Sequence, residues 1–157
     1  MRELKVKEVR LDEENGSPVL IMQEADGERQ LAIWMSAAGA AGILGALQEP
    51  DPDHPSSHEL LLAVVDSLGG EVSMAHIVGH QEGVFYAELV VDGRPINARP
   101  SDAIAVALRA GVPIKVADAV LDAVGVVPEG EPEPEPARED QVEQFRQFLD
   151  SVNPDDF

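Results

Sequence analysis

Cysteine is absent from the 157 residues of this chain, and basic and aromatic residues are few. The absence of cysteine excludes disulfide bonds, thiolate metal sites and cysteine nucleophiles, and it fits a reducing cytoplasm. The longest strongly apolar run, residues 60–65, is far shorter than the roughly 20 residues that cross a bilayer. The start of the chain has no apolar signal region. We therefore expect a cytoplasmic protein that does not enter a membrane.

Basic residues are scarce in every part of the chain. Eleven Lys and Arg stand against thirty Asp and Glu, which gives a net charge of −19. Residues 1–128 hold twenty acids and nine bases, so removing the acidic end does not leave a basic body. Proteins that bind nucleic acid tightly usually cluster Lys and Arg against phosphates, and those that bind single strands stack bases on aromatic rings. With three aromatic residues in the body (Trp34, Phe85 and Tyr86), composition disfavours tight nucleic-acid binding.

Apolar alternation between strong turn signals predicts seven strands. The turn signals include Asn15-Gly16, Asp26-Gly27 and Asp92-Gly93. The predicted strands cover residues 5–11, 19–22, 31–34, 71–78, 84–91, 95–98 and 114–116.

Four helices are predicted among these strands. The first covers residues 37–47, where Gly39, Gly42 and Gly45 form a smooth ridge suited to close approach of another backbone. A second helix, over residues 58–68, would be capped by Ser57. A third would follow Ser101, and a short fourth would cover residues 117–123.

The two halves of the body show the same order of features. Residues 19–22, a turn, Ile33 and an Ala-rich helix are matched 63 to 66 positions later by residues 84–87, a turn, Ile96 and a second Ala-rich helix. This pattern predicts an α+β fold of duplicated β-β-β-α units, with helices covering one sheet. Chance similarity between two hairpins is the alternative.

The chain divides into a body, a linker and a tail. We predict one domain over residues 1–128, an extended Glu/Pro linker over 129–137 and an amphipathic C-terminal helix over 138–157. The tail helix would either fold back on its own domain or a sister subunit, or dock on a protein partner.

The most informative segment is the polar mouth of the third helix. Pro100 disfavours helical geometry at Arg99, so Ser101 is the predicted N-cap, and Asp102 lies where the helix dipole favours a negative charge. The apolar run over residues 103–108 predicts burial of the helix behind them. Ordinary capping, with Arg99 paired only to Asp102, explains the same residues. A small anion bound at the start of this helix is a third interpretation.

Side chains that are far apart in sequence form a better candidate catalytic site than any single local motif. His58 and Glu59 lie at one predicted helix start, Glu88 lies on a strand, and Arg99, Ser101 and Asp102 lie at another helix start. Histidine would move a proton, arginine would clamp a phosphate, and carboxylates would orient the histidine or hold Mg²⁺. The pairs His54/His58 and His76/His80 have metal-ligand spacing, but that signal is weak. A Ser-His-Asp triad is discounted because no G-x-S-x-G elbow is present.

Several segments resemble the bifunctional nuclease domain family over about residues 3–127. They are residues 18–20, 31–35, 57–61, 85–89 and, most specifically, 98–109, which contains Arg-Pro-Ser-Asp-Ala-Ile-Ala. The C-terminal residues 142–157 resemble the tail of actinobacterial members. The resemblance implies an α+β fold, a homodimer and hydrolysis of phosphodiester bonds in DNA and RNA.

Residue by residue, the resemblance carries family positions onto His58, Glu59, Tyr86, Glu88, Arg99, Pro100, Ser101 and Asp102. We expect His58, Glu88, Arg99 and Asp102 to be catalytic, and Glu59, Tyr86 and Ser101 to contact substrate. The helix starts at 58–59 and 99–102 would then face each other across a groove. Many relatives have a glutamate where this chain has Gly39. The alternative is a non-catalytic dimeric regulatory or adaptor module whose tail helix docks a partner.

Overall fold

The computed structural model describes residues 1–129 and 146–148 of the chain. Seven strands and four helices follow one another through residues 2–124. In chain order they are β1 (Arg2–Leu11), β2 (Pro18–Glu24), β3 (Gln30–Trp34), α1 (Ala37–Leu47), α2 (Ser57–Ser67), β4 (Val72–Gln81), β5 (Val84–Val91), β6 (Arg94–Ala98), α3 (Pro100–Ala110), β7 (Ile114–Val116) and α4 (Asp118–Val124). The predicted strands and helices are confirmed, with ends displaced by no more than three residues.

All seven strands form one mixed sheet, in the order β3-β2-β1-β7-β4-β5-β6. Two antiparallel meanders, β1-β2-β3 and β4-β5-β6, make the two halves of this sheet. The short strand β7 joins them, because it pairs antiparallel with β1 and parallel with β4.

The turns that the sequence marks are those that set the strand register. At the β5–β6 turn, Asp92 and Gly93 have φ of 50° and 75°. Positive φ at both central residues is the geometry of a tight hairpin turn that favours Asp-Gly. This turn pairs Val91 with Arg94 and brings Glu88 opposite Asn97.

The core lies between the sheet and its helices. Helix α3 is its centre: all five residues from Ala103 to Ala107 are buried. Helix α1 packs on α3 and buries Ile43, while α4 buries Val120 and Leu121 in the same cluster. The sheet supplies the buried side chains of Leu4, Leu20, Met22, Leu31, Ile33, Ala75, Ile77, Ala87, Ile114 and Val116. The α+β fold class is thereby confirmed.

Two predicted caps are wrong. Helix α3 begins at Pro100, with Arg99 as the N-cap and no side-chain capping bond, so Ser101 lies inside the first turn. Pro favours this first helical position because its missing N–H would have no partner there. Helix α2 is capped by Ser56, not Ser57, since the Ser56 hydroxyl accepts from the backbone N–H of Glu59.

The two halves of the sheet share one order of elements, three strands and then a helix, and the helices α1 and α3 pack together. Duplication itself stays a prediction. Of the predicted tail helix over 138–157, the structure describes only residues 146–148, which are helical; the linker over 130–137 lies outside the described residues. No helix in the described part of the chain has the length and apolar character to span a membrane.

Candidate functional site at the junction of three helices

The predicted residues His58, Arg99 and Asp102 meet where α1, α2 and α3 come together. His58 is the second residue of α2, and Asp102 lies in the first turn of α3. His58 Nε2 is 3.0 Å from Asp102 Oδ1. On the other side of the carboxylate, Arg99 Nε donates to Asp102 Oδ2 over 2.7 Å. The two helix starts therefore meet by direct hydrogen bonding and not across a groove.

Solvent exposure increases along this chain of hydrogen bonds, from His58 through Asp102 to Arg99. The exposed fraction of the side chain is 20% for His58, 36% for Asp102 and 72% for Arg99. Since only the Nε of Arg99 is committed to Asp102, the two terminal nitrogens of the guanidinium face solvent. Their planar fork matches two oxygens of a phosphate.

Asp102 stays ionised at neutral pH in this arrangement. Burial raises the pKa of its carboxyl, but hydrogen bonds from Arg99 and His58, together with their charges, outweigh burial and hold the pKa below its ordinary value of 3.8. The hydrogen bond to Asp102 in turn raises the pKa of Arg99. An ionised carboxylate only accepts hydrogen bonds, so in neutral His58 the proton lies on Nε2 and the lone pair on Nδ1. Nδ1 of His58 is thus the nitrogen left as a proton acceptor, and it lies on the ring edge that faces Gly42 of α1.

Two glycines of α1, Gly39 and Gly42, leave room for side chains of this junction. A Cβ at Gly39 would lie 2.9 Å from both Cβ and Oγ of Ser101, and a Cβ at Gly42 would lie 2.7 Å from Cε1 of His58. Either contact is closer than real Cβ atoms come to their neighbours. Gly39 and Gly42 thus face side chains of α3 and α2, not the backbone that the sequence predicted, and a Cβ at Gly45 would meet nothing within 4 Å.

Glu59, expected to contact substrate, has a structural partner instead. Its carboxylate pairs with Arg109 at 3.1 Å, and both side chains are more than 80% buried. Arg109 also donates to the backbone oxygens of Gly45 (2.7 Å) and Gln48 (2.9 Å), at the end of α1. Because Arg109 neutralises Glu59 and binds the C-terminal carbonyls of α1, this group ties α1, α2 and α3 together.

Ser101, also expected to contact substrate, is only 7% exposed. It lies beneath α1 at the point where Gly39 leaves room for it. The anion site proposed for the start of this helix therefore has no hydroxyl to offer, and Arg99 is the group that faces solvent there.

Glu88 and Tyr86 are not brought to the junction. On β5, Ala87 and Leu89 are buried against the helices. Side chains alternate along a strand, so Tyr86 and Glu88 point to the opposite face of the sheet. There Glu88 lies opposite His76 on β4 and Asn97 on β6. The expectation that Glu88 joins His58, Arg99 and Asp102 in one cleft is wrong.

The donor groups at the junction do not fit Mg²⁺. Both oxygens of Asp102 are engaged by His58 and Arg99, and Glu59 is neutralised by Arg109. Across residues 1–129 and 146–148, no group of three or more His, Cys, Asp or Glu side chains converges to hold a metal ion. The imidazole of His54 instead bonds to Asp51, three residues before it.

Comparison with known proteins places this junction in a family. A model of the bifunctional nuclease domain matches residues 20–129, which include all of the junction. The chain belongs to this family. It is 43% identical, over 161 aligned positions, to uncharacterized proteins from two strains of Mycobacterium tuberculosis, CDC 1551 / Oshkosh and ATCC 25618 / H37Rv. Those alignments cover 100% of this chain and 98% of each relative.

Within the bifunctional nuclease domain, sequence reasoning missed Arg109 and the purpose of Gly42. The sequence carried only part of each signal. Arginine in the last turn of a helix commonly binds the last carbonyls of its own helix, whereas Arg109 of α3 binds carbonyls at the end of α1. Glycines three apart in α1 indicated a close approach, but the sequence did not indicate that His58 is what approaches Gly42. The geometry also explains why glycine occupies position 39, since the Cβ of a glutamate there would collide with Ser101.

Proposed function

We propose that this bifunctional nuclease domain hydrolyses phosphodiester bonds of single-stranded DNA and RNA in the cytoplasm, at the His58–Asp102–Arg99 junction. The observation that carries the proposal is the chain of hydrogen bonds from His58 through Asp102 to Arg99. It offers an imidazole nitrogen as proton acceptor at one end and an exposed guanidinium at the other, with the Asp102 carboxylate between them. Family membership supports the reaction class.

On RNA the groups supply a complete proton path. His58 Nδ1 takes the proton of the attacking 2′-hydroxyl, the O2′–P bond forms and the P–O5′ bond breaks. The protonated imidazole then returns the proton to the leaving O5′, which leaves a 2′,3′-cyclic phosphate. Water, deprotonated by the same nitrogen, then attacks phosphorus, the P–O2′ bond breaks and O2′ takes the proton, which completes the hydrolysis. Arg99 neutralises the charge that develops on the phosphoryl oxygens. On DNA, water takes the place of the 2′-hydroxyl.

The charge of the chain sets the expected mode of binding. With a net charge of −19 and Arg99 as the exposed cation of the junction, few phosphates are contacted. Affinity therefore falls only weakly with salt, by a slope near that of one contact (roughly −0.7 for a single strand). We expect brief encounters and a high KM in place of tight binding.

Cleavage of fluorogenic single-stranded RNA and DNA, in EDTA and in Mg²⁺, tests the proposal. His58→Asn is expected to lower kcat by about 10²–10⁴-fold, the usual contribution of a general base. Arg99→Gln should lower kcat as well as raise KM, because it removes a charge that stabilises the transition state. Glu88→Gln is the matched control, because Glu88 lies on the other sheet face, and it should cleave like the native protein. Equal cleavage by native protein and His58→Asn would contradict the proposal.

A second candidate function, a non-catalytic dimeric module, is favoured by the surface of α2. Leu60, Leu61 and Val64 of this helix are exposed, as is Leu68 at its C-cap. A second copy packed on these side chains would remove apolar area from water. Leu61→Glu combined with Val64→Glu should then convert a dimer into a monomer in analytical ultracentrifugation. A monomeric native protein would remove this candidate. A partner for residues 138–157 stays a prediction.

A further inference from the structure

An apolar cleft lies apart from the helix junction. It measures about 450 Å³ and is walled by β2, β3, the β4–β5 hairpin and the residues after α4. Residues that define its walls are Ile21, Ala32, Trp34, His80, Phe85 and Val126. No residue of the His58–Asp102–Arg99 junction lines it. The volume is within the range of small-molecule sites, roughly 300–1,000 Å³.

Aromatic side chains are concentrated in this cleft. Two of the three aromatic residues of the body, Trp34 and Phe85, line it together with the imidazole of His80. The His80 and Phe85 rings lie 4.5 Å apart between centroids. The Trp34 side chain is held by a 3.0 Å hydrogen bond from its Nε1 to Asp12, yet 56% of the residue is exposed. Exposed aromatic faces held in place are the surfaces on which planar rings stack.

The charges at the cleft favour an uncharged ligand. Arg10 lines it, but the Arg10 guanidinium is 3.4 Å from the carboxylate of Glu8. Asp12 adds a second carboxylate beside Trp34. Carboxylates thus offset the cation, and an anionic group such as a phosphate gains little here.

Polar atoms at the cleft match the edge of a heteroaromatic ring. Gln30 donates its amide N–H to Gln23 over 2.7 Å, which leaves the Gln30 amide oxygen as an acceptor. His80 adds ring nitrogens that act as donor or acceptor. A ring that carries both donors and acceptors on its edge satisfies these groups, whereas a hydrocarbon ring does not.

We propose that this cleft binds an uncharged nucleobase, stacked on Trp34 and in contact with the rings of His80 and Phe85, whose planes are tilted by 57° to each other. The base belongs either to a free nucleoside or to an unpaired nucleotide of a strand. This binding site is separate from the junction and does not depend on the proposed cleavage.

Trp34 is the only tryptophan of the chain, so its fluorescence reports directly on the cleft. Titration of the full chain with adenosine and with uridine should change the emission of Trp34 saturably, whereas ribose should not change it. His80→Ala should weaken binding about tenfold, as expected for loss of one stacking contact. Ala32→Phe fills the cleft and should abolish binding.

Tyr86→Ala is the matched control, since Tyr86 is aromatic and half-exposed but does not line the cleft. It should bind adenosine like the native chain. Urea unfolding of His80→Ala and Ala32→Phe establishes that both are folded. Absence of a saturable change with every nucleoside, or full binding by folded Ala32→Phe, would overturn the proposal.

Two further measurements are needed. The first distinguishes a free nucleoside from a nucleotide of a strand, and the second tests whether the cleft is independent of the His58–Asp102–Arg99 junction. A response to adenosine at lower concentration than to a single-stranded oligonucleotide assigns the free nucleoside, and the reverse assigns the strand. His58→Asn should bind adenosine unchanged. Loss of binding in this variant would show that the cleft is not an independent site, and would overturn the inference without bearing on cleavage.

Discussion

Two neighbouring residues of α2, His58 and Glu59, belong to charged groups of opposite character. His58 bonds to Asp102, which bonds in turn to Arg99, a side chain 72% exposed. Glu59 forms an ion pair with Arg109, which also donates to two carbonyls at the end of α1. The first group (His58, Asp102 and Arg99), the open group, ends at a solvent-exposed side chain that can still form hydrogen bonds. The second (Glu59 and Arg109), the closed group, binds only partners inside the protein. The difference separates a group available to a substrate from one that holds three helices together.

The largest expected change in stability comes from removing Arg109 from the closed group. Arg109→Leu leaves Glu59 as an unpaired, largely buried charge and removes the bonds to Gly45 and Gln48. We expect the free energy of unfolding to fall by about 3 kcal/mol, as when one partner of a buried ion pair is removed. Urea denaturation measures it.

Arg99→Leu is the matched control for that experiment, because the Arg99 side chain is exposed. Its stability should change by less than about 1 kcal/mol, while cleavage is impaired. An equal loss of stability in both variants would mean that the two groups do not differ in the way described.

Gly42→Ala tests whether α1 seats the imidazole. The added Cβ would lie 2.7 Å from Cε1 of His58, so the ring or the helix must move. We expect a loss of about 1–3 kcal/mol in stability, typical of overpacking, and a larger loss of cleavage than the unfolded fraction explains. Native cleavage by this variant would show that the position of the ring is not critical.

Gly45→Ala makes the same change one helical turn further along, where a Cβ meets nothing within 4 Å. Alanine is favoured over glycine inside a helix by up to about 1 kcal/mol. This variant should therefore be more stable than the native chain by about 0.5–1 kcal/mol, with unchanged cleavage. A decrease in its melting temperature would contradict the geometry of α1.

The smallest expected effect is the pH dependence of the stability that Asp102, in the open group, gives to the fold. Because the folded pKa of Asp102 lies below its ordinary value of 3.8, the ionised carboxylate stabilises the fold above that value. The contribution is lost as pH falls through the depressed pKa. The stability difference between native protein and Asp102→Asn should be constant near neutrality, below about 1 kcal/mol given solvent screening, and shrink in acid.

Glu24, whose hydrogen bond from Arg29 also lowers its pKa, is present in both proteins and cancels in that comparison. Denaturation curves collected from neutral to strongly acidic buffer provide the measurement. A difference that widens on acidification would contradict the assigned contacts of Asp102.

Local patterns were sufficient to predict the strands and helices, since turns such as Asp92-Gly93 and the apolar run in α3 depend on neighbouring residues alone. The sheet order was not predictable in the same way, because β7 enters between two halves that lie far from it in sequence. Of the seven expected site residues, His58, Arg99 and Asp102 come together. Glu88 was misplaced although the alternation of Ala87 and Leu89 already directed it to the other face.

The burial of Glu59 and Ser101 could not be foreseen from residue type. Both are polar, both follow a helix start and both lie beside residues of the open group. Helix α1 decides their surroundings, because its C-terminal carbonyls hold Arg109 of α3 beside Glu59 and its Gly39 leaves room for Ser101. A contact between helices more than 40 residues apart is a tertiary property.

The central position of β7 has a consequence for biosynthesis. The two meanders touch each other in the sheet only through this three-residue strand, and a ribosome makes it after both of them. Each meander is free to form as it emerges, but the sheet is joined only once residues 114–116 have left the exit tunnel. A ribosome stalled before that point would present two unjoined half-sheets with open strand edges, the state in which this chain most needs a chaperone.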